Sequence, residues 1–445
     1  MKRAVILGGG ISGYGSAILA KKEGFDVFLS DRGALGVETI EHLEEWGIPY
    51  EQGQHSEELI LNADLVIKSP GIPDKAPIVR KIKEAEIPII SEIEFAGRYM
   101  GSSKTICITG SNGKTTTTSL IYHILSQAGY SVAVGGNIGE SFAYSVATAS
   151  FDWYVLELSS FQLDGMYDFR ADIALLLNIT PDHLDRYDYC FENYAASKMR
   201  ITQNQGVVDY FIYFAADKSI AKELEGRKLP QQQLTFGTAP SSCVEARVDG
   251  KEVKFVASKM QISGLHNLYN AEAAALAALA AGVSPECVER SICSFGAVEH
   301  RLESLAEIDG VLYINDSKAT NVDSVWYALE AMTRPLVWIA GGTDKGNDYS
   351  PLKEFAASKV HTLICMGLDN GALEREFAGV VPTITSCSSF EEAMQAAHSA
   401  AKSGDVVLLS PACASFDLFK SYIHRGECFA QWVKSLEEGA CDGEQ

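Results

Sequence analysis

Positive charge is in short supply: 37 Lys and Arg stand against 58 Asp and Glu in 445 residues, a formal net charge of -21. Nucleic acid and anionic membrane surfaces are held by basic faces, so both are excluded as general partners. An anionic small molecule must instead meet a local, organised positive site. Long hydrophobic runs are also missing, since nothing approaches the roughly twenty apolar residues that span a bilayer. The amino-terminal stretch offers only four apolar residues, Ala4 to Leu7, before a glycine cluster, too few for a secretory signal core. The ten cysteines are scattered, with no CxxC pair and no histidines at metal-binding spacing. A reduced, cytoplasmic protein without membrane insertion is expected.

What the chain does have is ordinary globular material: 47% apolar and 21% charged residues, at about three times the length of a typical domain. Three segments each open with a strand and a glycine loop. The first, Arg3 to Gly10, runs an apolar strand into Gly8-x-Gly10-x-x-Gly13, then a helical stretch and a second strand, Asp26–Asp31. Glycines there let the backbone approach a pyrophosphate at a helix start, and Asp31 stands where a ribose hydroxyl can be accepted. A dinucleotide dehydrogenase and a plain tight turn in a doubly wound sheet both fit this fingerprint. A further strand, Ala63 to Ser69, ends in Pro70-Gly71-Ile72-Pro73, another edge where a ligand can sit.

Composition shifts at Ala96 to Ser103, and the pattern restarts with the strand Lys104–Thr109 and the loop TGSNGKTTT. The usual phosphate loop places its first glycine five positions before Gly-Lys-Thr; here that position is Ile108, and the glycine is Gly110. Gly110 and Gly113 still free backbone N–H groups to curl around an anion. Lys114 can pair with terminal phosphates and Thr115 can offer a hydroxyl to magnesium. A helix is expected from Thr117 to Ala128. The strand ending at Glu157 and the edge Leu175 to His183 could complete a magnesium site, although Asp182 and His183 taken singly read as ordinary loop residues. Asn267 and Asn270, expected just before an alanine-rich helix, are candidates for contacts to a base edge.

After Phe295 to Arg301, strands and helices alternate a third time. Ser415 is expected to cap a helix from Phe416 to His424, whose free N–H groups would favour a carboxylate by about 0.3 to 1 kcal/mol; plain capping is the alternative. Cys413 reads as an inert loop residue, because no activating base accompanies it.

The stretches TGSNGKTTT, LELSSFQLD, NITPDHLDRY, GLHNLYNAEAAALAA, EHRLE, NDSKATN and SPACASFDLFKSYIHRG, in this order, resemble the Mur ligases of bacterial peptidoglycan synthesis over nearly the whole chain. The SPGIP edge and the SPACASFD motif are similar to the branch that adds D-glutamate. The resemblance implies an α/β chain of three domains: a Rossmann-like domain binding the UDP-substrate (1–97), a P-loop ATPase-like domain binding ATP (98–297) and a Rossmann-like domain binding the amino acid (298–445). It implies a monomer acting on UDP-N-acetylmuramoyl-L-alanine, D-glutamate and ATP with Mg²⁺, through an acyl phosphate.

Carried over by motif, the catalytic residues are Lys114, Glu157, His183 and Lys198, with Thr115, Glu157, His183 and Lys198 around magnesium. Lys198, otherwise read as a surface lysine, matches the lysine that the family carbamylates with CO₂. Gly110, Asn112, Gly113, Lys114, Thr115, Thr116, Asn267, Asn270, His300, Arg301 and Asp316 match the ATP neighbourhood. Ile11, Ser12, Asp31, Arg32, Ser69, Gly71, Asn137, Ser159, Gln162 and His183 match the UDP-substrate site. Thr320, Lys345, Ser415, Phe416 and Tyr422 match the D-glutamate site, where some relatives carry leucine and phenylalanine in place of Phe416 and Tyr422.

Overall fold

The computed structural model describes residues 1–182, 184–238, 242–262, 264–296, 300–344 and 346–442, without the side chains at 38, 185, 323 and 439–442. The central strands of three sheets are short and mostly apolar, because strands inside a parallel sheet are covered on both faces. The first sheet contains β1 (Arg3–Leu7), β2 (Asp26–Asp31), β3 (Tyr50–Gln52), β4 (Leu65–Lys68) and β5 (Ile89–Ile90) in the order β3-β2-β1-β4-β5. The second contains β6 (Lys104–Thr109), β7 (Val132–Gly136), β8 (Trp153–Glu157), β9 (Ile173–Leu176), β10 (Tyr210–Phe214) and β11 (Gln232–Phe236), in the order β11-β10-β9-β6-β8-β7. All pairings in both are parallel. An antiparallel pair, β12 (Cys243–Val248) and β13 (Lys251–Val256), follows.

The third sheet contains β14 (Glu303–Ile308), β15 (Val311–Asn315), β16 (Leu336–Gly341), β17 (Val360–Met366), β18 (Thr383–Cys387) and β19 (Val406–Ala412) in the order β14-β15-β19-β16-β17-β18. Only β14 runs antiparallel to its neighbour. In an open parallel sheet, ligands collect at the carboxyl ends of strands where the order reverses direction. Those ends are β1 and β4 in the first sheet, β6, β8 and β9 in the second, and β15, β16 and β19 in the third.

The chain divides into two compact units, 1–260 with 268–294, and 261–267 with 295–445. Within the first unit, the helix Ile11–Lys22 lies against the start of the helix Phe142–Thr148. A Cβ on Gly15 would stand 1.9 Å from Ser141 Oγ, so this approach depends on glycine. The short helix Glu92–Gly97 completes the seam between the first two sheets. Ser141 Oγ and the Ala143 N–H donate to Glu92 Oε1 at 2.5 and 3.1 Å. The N–H groups of Tyr167, Asp168 and Phe169 donate to Glu94 Oε2 at 2.9, 3.0 and 2.9 Å.

Strands expected at Asp26–Asp31 and Lys104–Thr109 form with those bounds. Three helix starts differ from expectation. The helix after the second glycine loop begins at Lys114, because Gly113, at φ 84°, already turns the chain into it. The alanine-rich helix begins at Leu265, which puts Asn267 and Asn270 inside it. The helix expected from Phe416 begins at Tyr422 instead. Asp417 Oδ2 accepts from the Leu368 N–H at 3.2 Å, and Phe416–Phe419 closes as one isolated turn through Phe419 N and Ser415 O. Ser421, not Ser415, receives the His424 N–H at the helix start, so no helix terminus stands at Ser415 to attract an anion. Among the described residues no helix is long and apolar enough to cross a membrane.

Candidate active site

At the carboxyl end of β6, the loop Gly110–Gly113 is fixed by the segment following β9. The Asn112 N–H donates to Asn178 Oδ1 at 2.8 Å and Asn178 Nδ2 returns a bond to Asn112 O at 3.0 Å. Ser111 Oγ donates to Thr180 O and accepts from its N–H, at 2.8 and 2.9 Å. A Cβ on Gly113 would fall 2.5 Å from Asn270 Oδ1, which also accepts from Thr117 Oγ1 at 3.2 Å. Thr116 is buried on the same helix. Asn178 was not marked by the sequence as a loop partner; its place directly beyond β9 is the signal that identifies it.

Two lysines converge on this loop. Lys114 Nζ donates to Gly110 O and Ser111 O at 2.7 and 2.8 Å, and Lys198 Nζ donates to the same Gly110 O at 2.8 Å. Lys198 is only 2% exposed, so the surface reading of this residue is corrected. Its Nζ stands 4.7 Å from the Tyr194 ring centroid. Burial first, and then the Lys114 ammonium, hold the Lys198 amine well below its ordinary pKa, although nearby carboxylates oppose this.

Opposite the lysines, Glu157 ends β8 at 1% exposure. Thr115 Oγ1 donates to its Oε2 and Asn137 Nδ2 to its Oε1, both at 2.8 Å. Hydroxyl and carboxylate oxygens at a helix start suit a hard divalent cation such as magnesium. Ser159 and Gln162 form a reciprocal capping box on the helix Ser160–Asp164. His183 lies outside the described residues, and among those described no group of three or more His, Cys, Asp and Glu side chains gathers as a metal cluster.

The first sheet carries a second, differently built site. Both Asp31 oxygens are occupied by backbone donors, Gly9 N–H on Oδ2 and Gly33 N–H on Oδ1, each at 2.6 Å, so Asp31 holds the glycine loop in shape. A Cβ on Gly8 would meet Ser69 Cβ at 2.7 Å, which brings the loops after β1 and β4 together. Ser12 is partly exposed and Ile11 is 55% exposed at the helix start. Asp31, Arg32 and Gly71 border an open cavity of about 660 Å³.

In the second unit, the carboxyl ends of β15 and β19 gather the remaining residues. Asp316, buried, accepts from Ser410 Oγ at 2.8 Å and from the Leu302 N–H at 3.2 Å, and burial pushes its pKa up to about 7. Beside Arg301, His300 sits at φ 62°, its Nδ1 2.9 Å from Asn315 Nδ2. Since an amide nitrogen only donates, that ring nitrogen accepts. Lys318 Nζ donates to the Tyr422 hydroxyl at 2.6 Å and lies 3.9 Å from the ring centroid. Arg425, which the sequence did not single out, is 1% exposed and donates to Ser317 O, Ser317 Oγ and Cys413 O. Thr320 follows within the same loop, Ser415 is buried and Phe416 is 74% exposed. Lys345 lies outside the described residues. Cys413 is 1% exposed and burial pushes its thiol up to about 11, as suits an inert residue.

Three family models match the chain in order: MurD N-terminal domain at residues 3–78, Mur ligase middle domain at 108–278, and Mur ligase, glutamate ligase domain at 300–413. A Bacteroides fragilis protein named UDP-N-acetylmuramoylalanine–D-glutamate ligase is 50% identical, covering 98% of this chain and 100% of that protein. Among solved structures, UDP-N-acetylmuramate-alanine ligase MurC from Thermotoga maritima superposes with a TM-score of 0.62 at 19% identity, covering 98% of this chain and 100% of the other. MurF ligase from Thermotoga maritima in complex with ADP gives 0.58 at 18% identity, over 93% and 95% of the two chains. At such identities the two structures show a shared fold. The ordered domain models and the half-identical relative show more: the chain belongs to the Mur ligase family.

Proposed function

We propose that this chain is an ATP-dependent ligase that joins D-glutamate to UDP-N-acetylmuramoyl-L-alanine in peptidoglycan precursor synthesis. The supporting observation is the relative of that name at half identity over its whole length, and the constellation around Gly110 has the parts the reaction needs. The alanyl carboxylate attacks the γ-phosphorus of ATP, ADP leaves, and the amine of D-glutamate attacks the acyl carbon. The C–O bond to phosphate breaks, the amine loses a proton, and amide and phosphate result. Carboxylate oxygen is a poor leaving group; phosphate is a good one.

In this reading Lys114 leaves the Gly110 and Ser111 carbonyls to pair with the terminal phosphates, while the loop N–H groups and the helix start at Lys114 receive their oxygens. Thr115 and Glu157 would hold magnesium, joined by His183 and Lys198, and magnesium supplies neutralisation of the charge that builds on the transferring phosphoryl group. An ammonium at Lys198 would repel such a cation. Its lowered pKa favours the neutral amine, whose lone pair adds to CO₂ with loss of a proton to give a carbamate; this supports the carbamylated form. The cavity beside Asp31, Arg32 and Gly71 would take the UDP group, with Ile11, Ser12 and Ser69 on the loops beside it, and Asn137, Ser159 and Gln162 the sugar-peptide portion. Asn267, Asn270, His300, Arg301 and Asp316 are assigned to ATP. Thr320, Lys345, Ser415, Phe416 and Tyr422 are assigned to D-glutamate.

The test is phosphate release by the purified protein with magnesium, ATP and UDP-N-acetylmuramoyl-L-alanine, offering D-glutamate beside L-alanine, L-glutamate, L-lysine and meso-diaminopimelate. Release that depends on D-glutamate, with the matching amide seen by mass spectrometry, is the expected result. Silence with every amino acid would remove the assignment.

A further inference from the structure

Behind the cavity of the first sheet lies a polar chain that reaches its wall. Glu51, the middle residue of β3, accepts from the Ser56 N–H at 2.8 Å, from Ser56 Oγ at 2.5 Å and from Ser30 Oγ at 2.7 Å. Burial raises the pKa of Glu51, but the hydroxyl and backbone donors of Ser56 and Ser30 outweigh it and hold the group ionised, an acceptor only. The one Ser30 proton is therefore committed to Glu51. Ser30 Oγ also stands 2.7 Å from His55 Nδ1, and having no second proton it must accept there. The Nδ1 proton is fixed by this geometry, and burial lowers the His55 pKa against the opposing pull of Glu51 and Asp31, which favours the neutral ring. Nε2 is then a lone-pair acceptor. It makes no hydrogen bond to any described residue, and His55 lines the cavity with Asp31, Arg32, Ile72 and Pro73.

A nucleobase in this cavity would lay its faces on the apolar side chains and turn its edge to the polar wall. Uracil presents a donor, N3–H, between two carbonyl acceptors. Cytosine presents an acceptor at N3. From the fixed tautomer, and resting on the assignment of this cavity to the UDP group, we propose that His55 reads the base: its Nε2 accepts from uracil N3–H and rejects cytosine. The chain Glu51–Ser30–His55 positions the acceptor; Ser30, at 0% exposure, cannot itself reach a ligand.

The experiment is equilibrium binding to the intact protein of UDP-N-acetylmuramoyl-L-alanine, its cytidine counterpart and its N3-methyluridine counterpart. An acceptor covered by the bound base and facing another acceptor or a methyl group is left unpaired, so the wild type should prefer the uridine form by about 10- to 100-fold. His55→Leu should bring the three affinities together. His55→Gln, whose amide oxygen can still accept, should keep part of the preference, and it carries the test if the leucine variant does not fold. Unchanged ATP binding in both variants reports an intact second sheet. A leucine variant that retains the full preference for uridine overturns the inference, as does absence of uridine-nucleotide binding in the wild type. Uridine-nucleotide binding without phosphate release in the presence of D-glutamate would instead remove the proposed reaction while leaving the role of His55 readable from affinities.

Discussion

The two glycine loops of the first unit are built to one backbone plan and equipped for different work. Each follows a central parallel strand and opens a helix, at Gly8–Gly13 after β1 and at Gly110–Gly113 after β6. Around the first, a carboxylate, Asp31, occupies the Gly9 N–H of the loop as well as that of Gly33 beyond β2, and the glycines serve close approach: a Cβ on Gly13 would stand 1.9 Å from Gly8 O. Around the second, two lysine Nζ groups crowd one carbonyl, and an acidic residue faces them from the neighbouring strand. Backbone alone offers a cradle for phosphate; the side chains that reach it decide whether it holds a ligand or also promotes a transfer.

The largest break in this comparison comes from the two lysines. Lys114→Ala or Lys198→Ala should lower turnover by about 1,000-fold or more, as loss of charge stabilisation in phosphoryl transfer does, while uridine-nucleotide binding at the first loop stays unchanged in a calorimetric titration. Short carboxylates added to Lys198→Ala should restore part of the rate; full activity of that variant without them would show that no carbamate is needed. Next in size, Glu157→Gln should raise the magnesium concentration for half-maximal rate by about 10-fold or more, seen in a magnesium titration, with no change at the first loop.

The third break is structural and reverses the pattern. Gly13→Ala drives a Cβ into the backbone of Gly8 and should destabilise the fold by about 1–3 kcal/mol or more, read as a lower denaturant midpoint. Gly113→Ala meets the end of the Asn270 side chain and a left-handed φ of 84°, and should affect the ATP Michaelis constant more than the midpoint.

Much of this contrast is legible in the sequence, because strand, glycine loop and helix follow one another locally. Glu157 is legible as well, being the last residue of an apolar strand. What is not legible comes from distant pairings. Nothing near Lys198 announces that it reaches Gly110, 88 positions away, or that Asn178 pins Asn112 across 66. The helix expected from Phe416 fails for the same reason, since Asp417 bonds to Leu368, 49 positions earlier. His55 is not legible because its value lies in the single Ser30 proton committed to Glu51, which no residue pattern records.

The smallest expected effect concerns the seam that keeps the two loops in one unit. Burial pushes Glu92 up to about 7, against the donors Ser141, Ala143 and Phe142, with Glu140 adding to the rise. A carboxyl raised above its unfolded value favours the fold below about 4.5, and that contribution is lost as pH climbs through about 7. Glu272 and Asp316, also raised to about 7, act with the same sign elsewhere, so the readout is a difference. Glu92→Gln should flatten the fall in melting temperature of the wild type between pH 4.5 and 7.

Two residues further along the same helix, Glu94 answers acid in the opposite sense. Burial raises it, but the N–H groups of Tyr167, Phe169 and Asp168 and the Arg98 guanidinium outweigh that and bring it below its ordinary value. Its contribution is complete above the unfolded value of 4.5 and fades as pH falls through the lower folded one. One short helix thus carries two acids that loosen the joint from opposite ends of the pH scale. The seam has an interior optimum: as pH rises Glu92 gives way, and as pH falls Glu94 does.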